Sequence, residues 1–162
     1  MINLTYRRMV LENDTDIPRL TTIYHSPTIA RYLSISDNYF HYVTNNENVY
    51  FYKVYENGRL IGSTHLEKQE NVLFMDILVF PEFQRMGLGT RIVKDIQNDV
   101  LGLDYVRIEI SIDESNIASL KLFENAGFIR TSKEDELINF AYSSKNQVTQ
   151  LEVKETRYEK ED

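Results

Sequence analysis

The residues best suited to chemistry lie where an apolar stretch, Val72–Val79, gives way to Gln84-Arg85-Met86-Gly87-Leu88-Gly89-Thr90 and then to helical spacing. A strand, a glycine loop and a helix in that order form an anion cradle. The glycines let the backbone curl so that successive N–H groups point inward. The helix N-terminus adds free donors and the positive end of its dipole. Arg85, Arg91 and Lys94 fall within residues 84–94 with no acid among them, a local excess of positive charge that suits a polyphosphate. The stretch lacks the Gly-Lys-Ser/Thr of a P-loop and the third glycine of a dinucleotide-binding turn. Taken alone, it describes equally well a strand-to-helix turn that binds nothing.

Further candidates lie outside the loop. Asp76 interrupts an apolar strand, so it requires either a hydrogen-bonding partner or a cleft. Glu109 alternates with Val106, Ile108 and Ile110, which turns it away from the core, and Ser111 follows on the same side. His65 reads as a polar residue on a half-exposed strand. Tyr24, Tyr32, Tyr39 and Tyr42 cluster in the N-terminal part. They could cage an amine by cation–π contact or simply form an amphipathic core and rim. His25 and His41 lie among them without metal-ligand spacing. With three histidines and no cysteine in the whole chain, no metal site is expected.

The elements that must position these residues follow from periodicity. The chain has 162 residues, 42% hydrophobic and 27% charged, enough for one domain with a real core. The spacing predicts a strand within 1–12, a helix from Ile17 to about Tyr24, and a second helical stretch over 28–44. Strands follow at Asn48–Tyr55 and Leu60–Glu67, joined by a hairpin at Glu56-Asn57-Gly58-Arg59. A polar turn at Lys68–Asn71 leads into the strand Val72–Val79. A helix over Thr90–Leu101, with Ile92, Val93, Ile96, Val100 and Leu101 on one side, stops at Gly102. A strand Tyr105–Ile112, a helix Asn116–Asn125 ended by Gly127, and strands Phe128–Thr131 and Leu137–Tyr142 complete the order βααβββαβαββ, a mixed α/β domain over 1–142. Residues 143–162 read as a polar tail or an arm on a partner chain.

Composition narrows the class. Eighteen Lys and Arg against 25 Asp and Glu give a net charge of −7, which argues against a nucleic-acid partner. The absence of cysteine excludes disulfides, thiolate metal sites and a cysteine nucleophile. No segment is long and apolar enough to span a bilayer and no secretory leader opens the chain, so a cytoplasmic protein is expected.

Val79-Phe80-Pro81-Glu82-Phe83-Gln84-Arg85-Met86-Gly87-Leu88-Gly89 resembles the acyl-CoA pyrophosphate loop of the GNAT superfamily of N-acyltransferases. Asn116-Ile117-Ala118-Ser119-Leu120-Lys121-Leu122-Phe123-Glu124-Asn125-Ala126-Gly127-Phe128 resembles the second motif of the same family, at the right separation and with a strand between. The resemblance covers residues 1–142. It implies a mostly antiparallel central sheet with flanking helices, in which the strands at 72–79 and 105–112 splay apart. The pantetheine arm of acetyl-CoA would pair with backbone groups of Leu78 and Val79. Its pyrophosphate would rest on the N–H groups of residues 84–90, with Asn116 and Phe123 lining the arm. The Val79 N–H would hold the oxyanion while an amine acceptor attacks the thioester.

Two departures from the family pattern stand out. Phe123 occupies the position of a tyrosine that commonly acts as general acid, and a phenyl ring donates no proton. The positions of common bases hold Leu73 and Ser111, which leaves Asp76, Glu109 and Ser111 as weak candidates, with His65 beside them. A water relay could serve in place of any of these. The expectation is an N-acetyltransferase acting on a primary amine, with an acyl-CoA-binding or sensor domain without turnover as the alternative. A homodimer would suit the polar tail and the aromatic surface.

Overall fold

The computed structural model describes residues 2–143. The expected tail lies outside the described residues except for Ser143. Strands β1 (Leu4–Arg8), β2 (Val49–Glu56), β3 (Arg59–Gln69), β4 (Val72–Val79), β5 (Arg107–Asp113), β6 (Ile129–Glu134) and β7 (Leu137–Ser143) form a seven-stranded sheet in the order β1-β2-β3-β4-β5-β7-β6. Every neighbouring pair is antiparallel except β4 and β5, which run parallel. The helices are α1 (Ile17–Tyr24), α2 (Pro27–Ala30), α3 (Tyr39–Thr44), α4 (Leu88–Gln97) and α5 (Ile117–Asn125).

The register sorts side chains onto two faces. One row runs through Tyr6, Val54, Gly62 and Val79. Tyr6 on this row donates a 2.7 Å hydrogen bond to Asp95 of α4, so α4 covers this face. The opposite face carries Ser63, His65, Glu67 and Asp76. There Tyr24 of α1 meets Ser63 at 3.2 Å and Tyr39 of α3 meets His65. Leu20, Phe51, Ile61, Ile92, Ile108 and Phe123 are at most 1% exposed. Each such apolar side chain contributes roughly 1.5–3 kcal/mol relative to an exposed one.

Several boundaries differ from the sequence-based expectation. The stretch 28–44 is not one helix. It divides into α2 and α3, because Ser34, Ser36, Asp37 and Asn38 compete with helical bonding, and Ser36 Oγ donates to Asn38 Oδ1 at 2.8 Å. The expected turn at Lys68–Asn71 shrinks to Glu70-Asn71, with Gln69 already paired to Val72 and Glu70 at φ 55°. Helix α4 starts two residues before Thr90 and ends at Gln97, not Leu101. Asp99 takes φ 50°, and its carboxylate accepts the Leu103 and Asp104 N–H groups. Val100, expected on the apolar side, is therefore 59% exposed. The hairpin at Asn57-Gly58 forms as expected, with φ values of 50° and 80°. Among the described residues, no helix is long and apolar enough to cross a membrane.

Candidate active site

Strands β4 and β5 pair only through Val72–Arg107, Leu73–Ile108 and Phe74–Glu109. Beyond Phe74 they part. Phe80 N–H donates to Ile61 at 2.9 Å, and the ladder pairs Gly62 with Val79 and Ser63 with Leu78. Hydrogen-bonded pairs alternate along an antiparallel ladder. Phe80, Leu78 and Asp76 therefore turn their backbone groups to β3, whereas Val79, Ile77 and Met75 turn theirs toward the gap. Leu78, expected to pair with an arm in the cleft, lines the gap with its backbone groups turned to β3, while those of Ile77 and Val79 face the gap. A Cβ on Gly62 would sit 2.1 Å from the Leu78 carbonyl oxygen, so glycine is required for this approach. The Gln84 amide donates to the Val79 carbonyl at 3.0 Å and ties the loop to the strand end.

The gap opens into a cavity of about 500 Å³. Its walls come from the ends of β4 and β5, the loop before α4, and the starts of α2 and α5. Gln84, Arg85, Gly87, Leu88, Gly89 and Thr90 all line it. Met86 does not, and is 60% exposed. Arg85 at φ 65° and Gly87 at φ 81° curl the loop. The first helical bond runs from Arg91 N–H to the Gly87 carbonyl at 3.2 Å, so the Leu88, Gly89 and Thr90 N–H groups precede any helical acceptor. At Gly89 a Cβ would meet Leu122 at 3.4 Å. Arg91 does not add to the cradle's charge as expected: its Nε donates to Asp95 at 2.9 Å and its Nη1 to the Ile2 carbonyl. The acid lies just beyond the window 84–94.

The second motif sits across the cavity. Asn116 caps α5 by accepting the Ser119 N–H at 3.3 Å, and it also lines the cavity. Phe123 lines it as well, 1% exposed and edge-on to Phe128 at 5.1 Å. Tyr32 joins from the segment just after α2, its hydroxyl donating to the Ser115 carbonyl at 3.3 Å.

A second cavity of about 570 Å³ lies on the other face of the sheet. Its carboxylates are Glu67, Asp76 and Glu109, and its cation is Arg107. Both cavities are lined by Asp76, Ile110 and Ser111. The two spaces therefore meet where β4 and β5 separate.

The polar groups at that junction differ in what holds them. Glu109 is ion-paired to Arg107 at 2.9 Å. Ser111 donates to Asn139 Oδ1 at 2.5 Å. Glu67 Oε1 accepts both the His65 Nε2–H at 2.9 Å and the Tyr42 hydroxyl at 2.8 Å. Because a carboxylate only accepts, Nε2 carries the proton shared with Glu67, and Nδ1 faces the Tyr39 hydroxyl. The Asp76 carboxylate makes no hydrogen bond or ion pair among the described residues, although its backbone carbonyl accepts from the Thr64 hydroxyl at 2.9 Å. Its carboxylate is open to solvent through the cleft, yet protein surrounds it on most sides. Loss of water raises its carboxyl above the ordinary carboxylate range; His65 opposes the rise and Glu67 adds to it.

The tyrosines form no cage. Tyr24 is 5% exposed and belongs to the core, Tyr39 packs against it beside Phe40 and Phe51, Tyr32 lines the first cavity, and Tyr42 donates to Glu67. His41 pairs with Glu12 at the surface. Among the described residues no group of three or more His, Cys, Asp or Glu is placed to hold a metal ion. The Tyr39–His65–Glu67–Tyr42 network escaped the sequence reading. Its only trace there was the i, i+2 placement of His65 and Glu67 on one strand face.

Residues 17–128 match the family model described as the acetyltransferase (GNAT) family. A comparison with the curated proteins finds no match. Among solved structures, a domain from Methanocaldococcus jannaschii superposes with a TM-score of 0.75 at 20% identity, covering 89% of this chain and 100% of that one. The aminoglycoside acetyltransferase AAC(6')-Ib in complex with coenzyme A gives 0.73 at 19% identity, covering 91% and 98%. The Campylobacter jejuni N-acetyltransferase PseH in complex with acetyl coenzyme A gives 0.72 at 12% identity, covering 88% and 99%. At these identities the likeness is one of fold.

Proposed function

The chain belongs to the acetyltransferase (GNAT) family, and from that premise we propose that it transfers an acetyl group from acetyl-CoA to a primary amine by direct attack in a ternary complex. The observation that carries this reading is the meeting of two cavities, one on each face of the sheet, at Asp76, Ile110 and Ser111. Acyl donor and acceptor enter from opposite sides and react where the strands part.

In this mechanism the pyrophosphate rests on the N–H groups of Leu88, Gly89 and Thr90, with Gln84, Arg85 and Gly87 completing the cradle. The pantetheine arm lies between the gap-facing backbone of Ile77 and Val79 and the wall formed by Asn116 and Phe123. The acceptor must be neutral to attack, whereas an alkylamine has a pKa near 10.4. Asp76 takes its proton. Of the three carboxylates on the acceptor side, it alone lacks a partner, and its surroundings raise its affinity for protons, which favours a base. The Val79 N–H holds the oxyanion of the tetrahedral intermediate. That intermediate collapses with departure of the CoA thiolate. A thiol pKa near 8.5 makes unassisted departure feasible, consistent with Phe123 in place of a donor. No covalent enzyme intermediate is required, in keeping with a chain that has no cysteine. We place the reaction in the cytoplasm.

The reading is tested by following thiol release from acetyl-CoA across a panel of amines. Amine-dependent release supports it. Binding of CoA without release by any amine would favour the sensor alternative, for which Phe123 is the motivating observation. Gly87→Glu checks the cradle. A charged side chain at φ 81° blocks phosphate approach, and CoA affinity is expected to fall at least 100-fold; unchanged affinity would put the pyrophosphate elsewhere.

A further inference from the structure

The acceptor-side cavity holds two carboxylates whose capacity to accept hydrogen bonds the fold leaves partly or wholly unused. Glu109 is spent on Arg107. Asp76 has no partner. Glu67 is held rigidly, but both of its donors, His65 and Tyr42, bind the same oxygen, Oε1. Oε2 is left without a hydrogen bond among the described residues, on a carboxylate that lines the cavity. A simple monoamine, once deprotonated by Asp76, would satisfy one of these groups and leave the other facing an empty space. We propose that the acceptor is a diamine or polyamine, attacking through a nitrogen at Asp76 while a second, protonated nitrogen is held by Glu67. The proposal rests on the acetyl-transfer reading for its chemistry, but not for its binding geometry.

The sheet sets the spacing. Asp76 is paired across the ladder with His65, and Glu67 lies two residues further along β3 on the same face. With ~3.4 Å per residue along a strand and ~5 Å between paired residues, the two Cα atoms are roughly 8–9 Å apart. A ligand whose nitrogens reach both carboxylates from within the cavity needs them roughly 5–8 Å apart on the same geometric estimate. A chain of about three to five carbons spans that distance. The remaining neutral wall, Ser111, Asn139, Thr131 and Ser132, offers no competing charge. A carboxylate-bound ammonium at this site is partly withdrawn from water, so its attraction survives salt better than a surface pair would.

The test is calorimetric titration of the protein–CoA complex with straight-chain monoamines and α,ω-diamines of three to six carbons, alongside thiol release from acetyl-CoA. The best diamine is expected to bind at least tenfold more tightly than the monoamine of equal length, with an optimum within three to five carbons. In Glu67→Gln that ratio should collapse to within twofold. In Glu67→Asp, which withdraws the carboxylate by one methylene, the optimum should move one carbon longer, an outcome that general unfolding would not produce. A wild-type ratio near one, or a ratio unchanged in Glu67→Gln, overturns the proposal. Length-dependent diamine binding without thiol release would sustain the proposal while sinking acetyl transfer. Thiol release without any diamine preference would do the reverse.

Discussion

Two groups of charges sit on the same face of the sheet, about three residue pairs apart, and they are treated in opposite ways. Lys53 on β2 is 8% exposed and reaches Asp14 and Asp16 at 2.9 Å each, with the Tyr55 hydroxyl donating to Asp16 at 3.2 Å. Burial alone would pull the Lys53 amine down; the hydrogen bonds it donates to both aspartates outweigh this and hold the amine above its ordinary value. The Lys53 hydrogen bond in turn holds Asp16 below the usual carboxylate range. Asp76, by contrast, has lost water and gained no partner, and half of Glu67 is open. A satisfied cluster fastens α1 to the sheet. An unsatisfied one costs stability and is retained where a ligand can complete it.

The largest expected effect comes from breaking the satisfied group. Lys53→Met leaves Asp14 and Asp16 facing each other without a cation, and urea denaturation should show a loss of about 3 kcal/mol. Turnover of the folded fraction should be unaffected, since Lys53 lines neither cavity. Asp14→Asn removes one partner only and should cost about 1 kcal/mol by the same measurement.

The pH dependence separates the two groups by sign. Asp16 binds its proton less readily when folded, so its contribution is complete above the unfolded carboxylate pKa and is lost as pH falls through the depressed folded value. Asp76 binds its proton more readily when folded, so its contribution is present below the unfolded pKa and is lost as pH rises through the raised folded value. Thermal melts of Asp76→Asn against wild type should therefore show a gain in Tm at pH 7 that shrinks toward pH 4. A variant less stable than wild type at pH 7 would mean that Asp76 has a structural partner. The smallest effect belongs to Phe123→Tyr: kcat is expected to change by less than about threefold, because the thiolate leaves without help. A larger rise would show that its protonation limits the rate.

Much of the fold was legible because the strands carry period-two patterns and the turns carry their own chemistry, as at Asn57-Gly58. The loop at 84–90 was legible because glycine spacing and a following helix are local. What was not legible depended on register. That Leu78 turns to β3 while Ile77 and Val79 face the gap follows from the pairing of Gly62 with Val79, which no local signal in β4 announces. Arg91 looked available until Asp95, one helical turn on, claimed it. Tyr39 and Tyr42 come from α3 and His65 and Glu67 from β3, and only the packing of α3 on the sheet joins them. An acid on an apolar strand requires a partner or a cleft, and Asp76 lines both cavities.

The central claim, that Asp76 accepts the amine proton at the junction of the two cavities, is tested most directly by amine-dependent thiol release in wild type and Asp76→Asn, with CoA affinity measured on both. The cysteine-free chain contributes no thiol background. In Asp76→Asn, kcat should fall roughly 100-fold or more and the acidic limb of the pH–rate profile should disappear, with the Kd for CoA within about threefold of wild type. Equal rates and an unchanged acidic limb in the two proteins would contradict it.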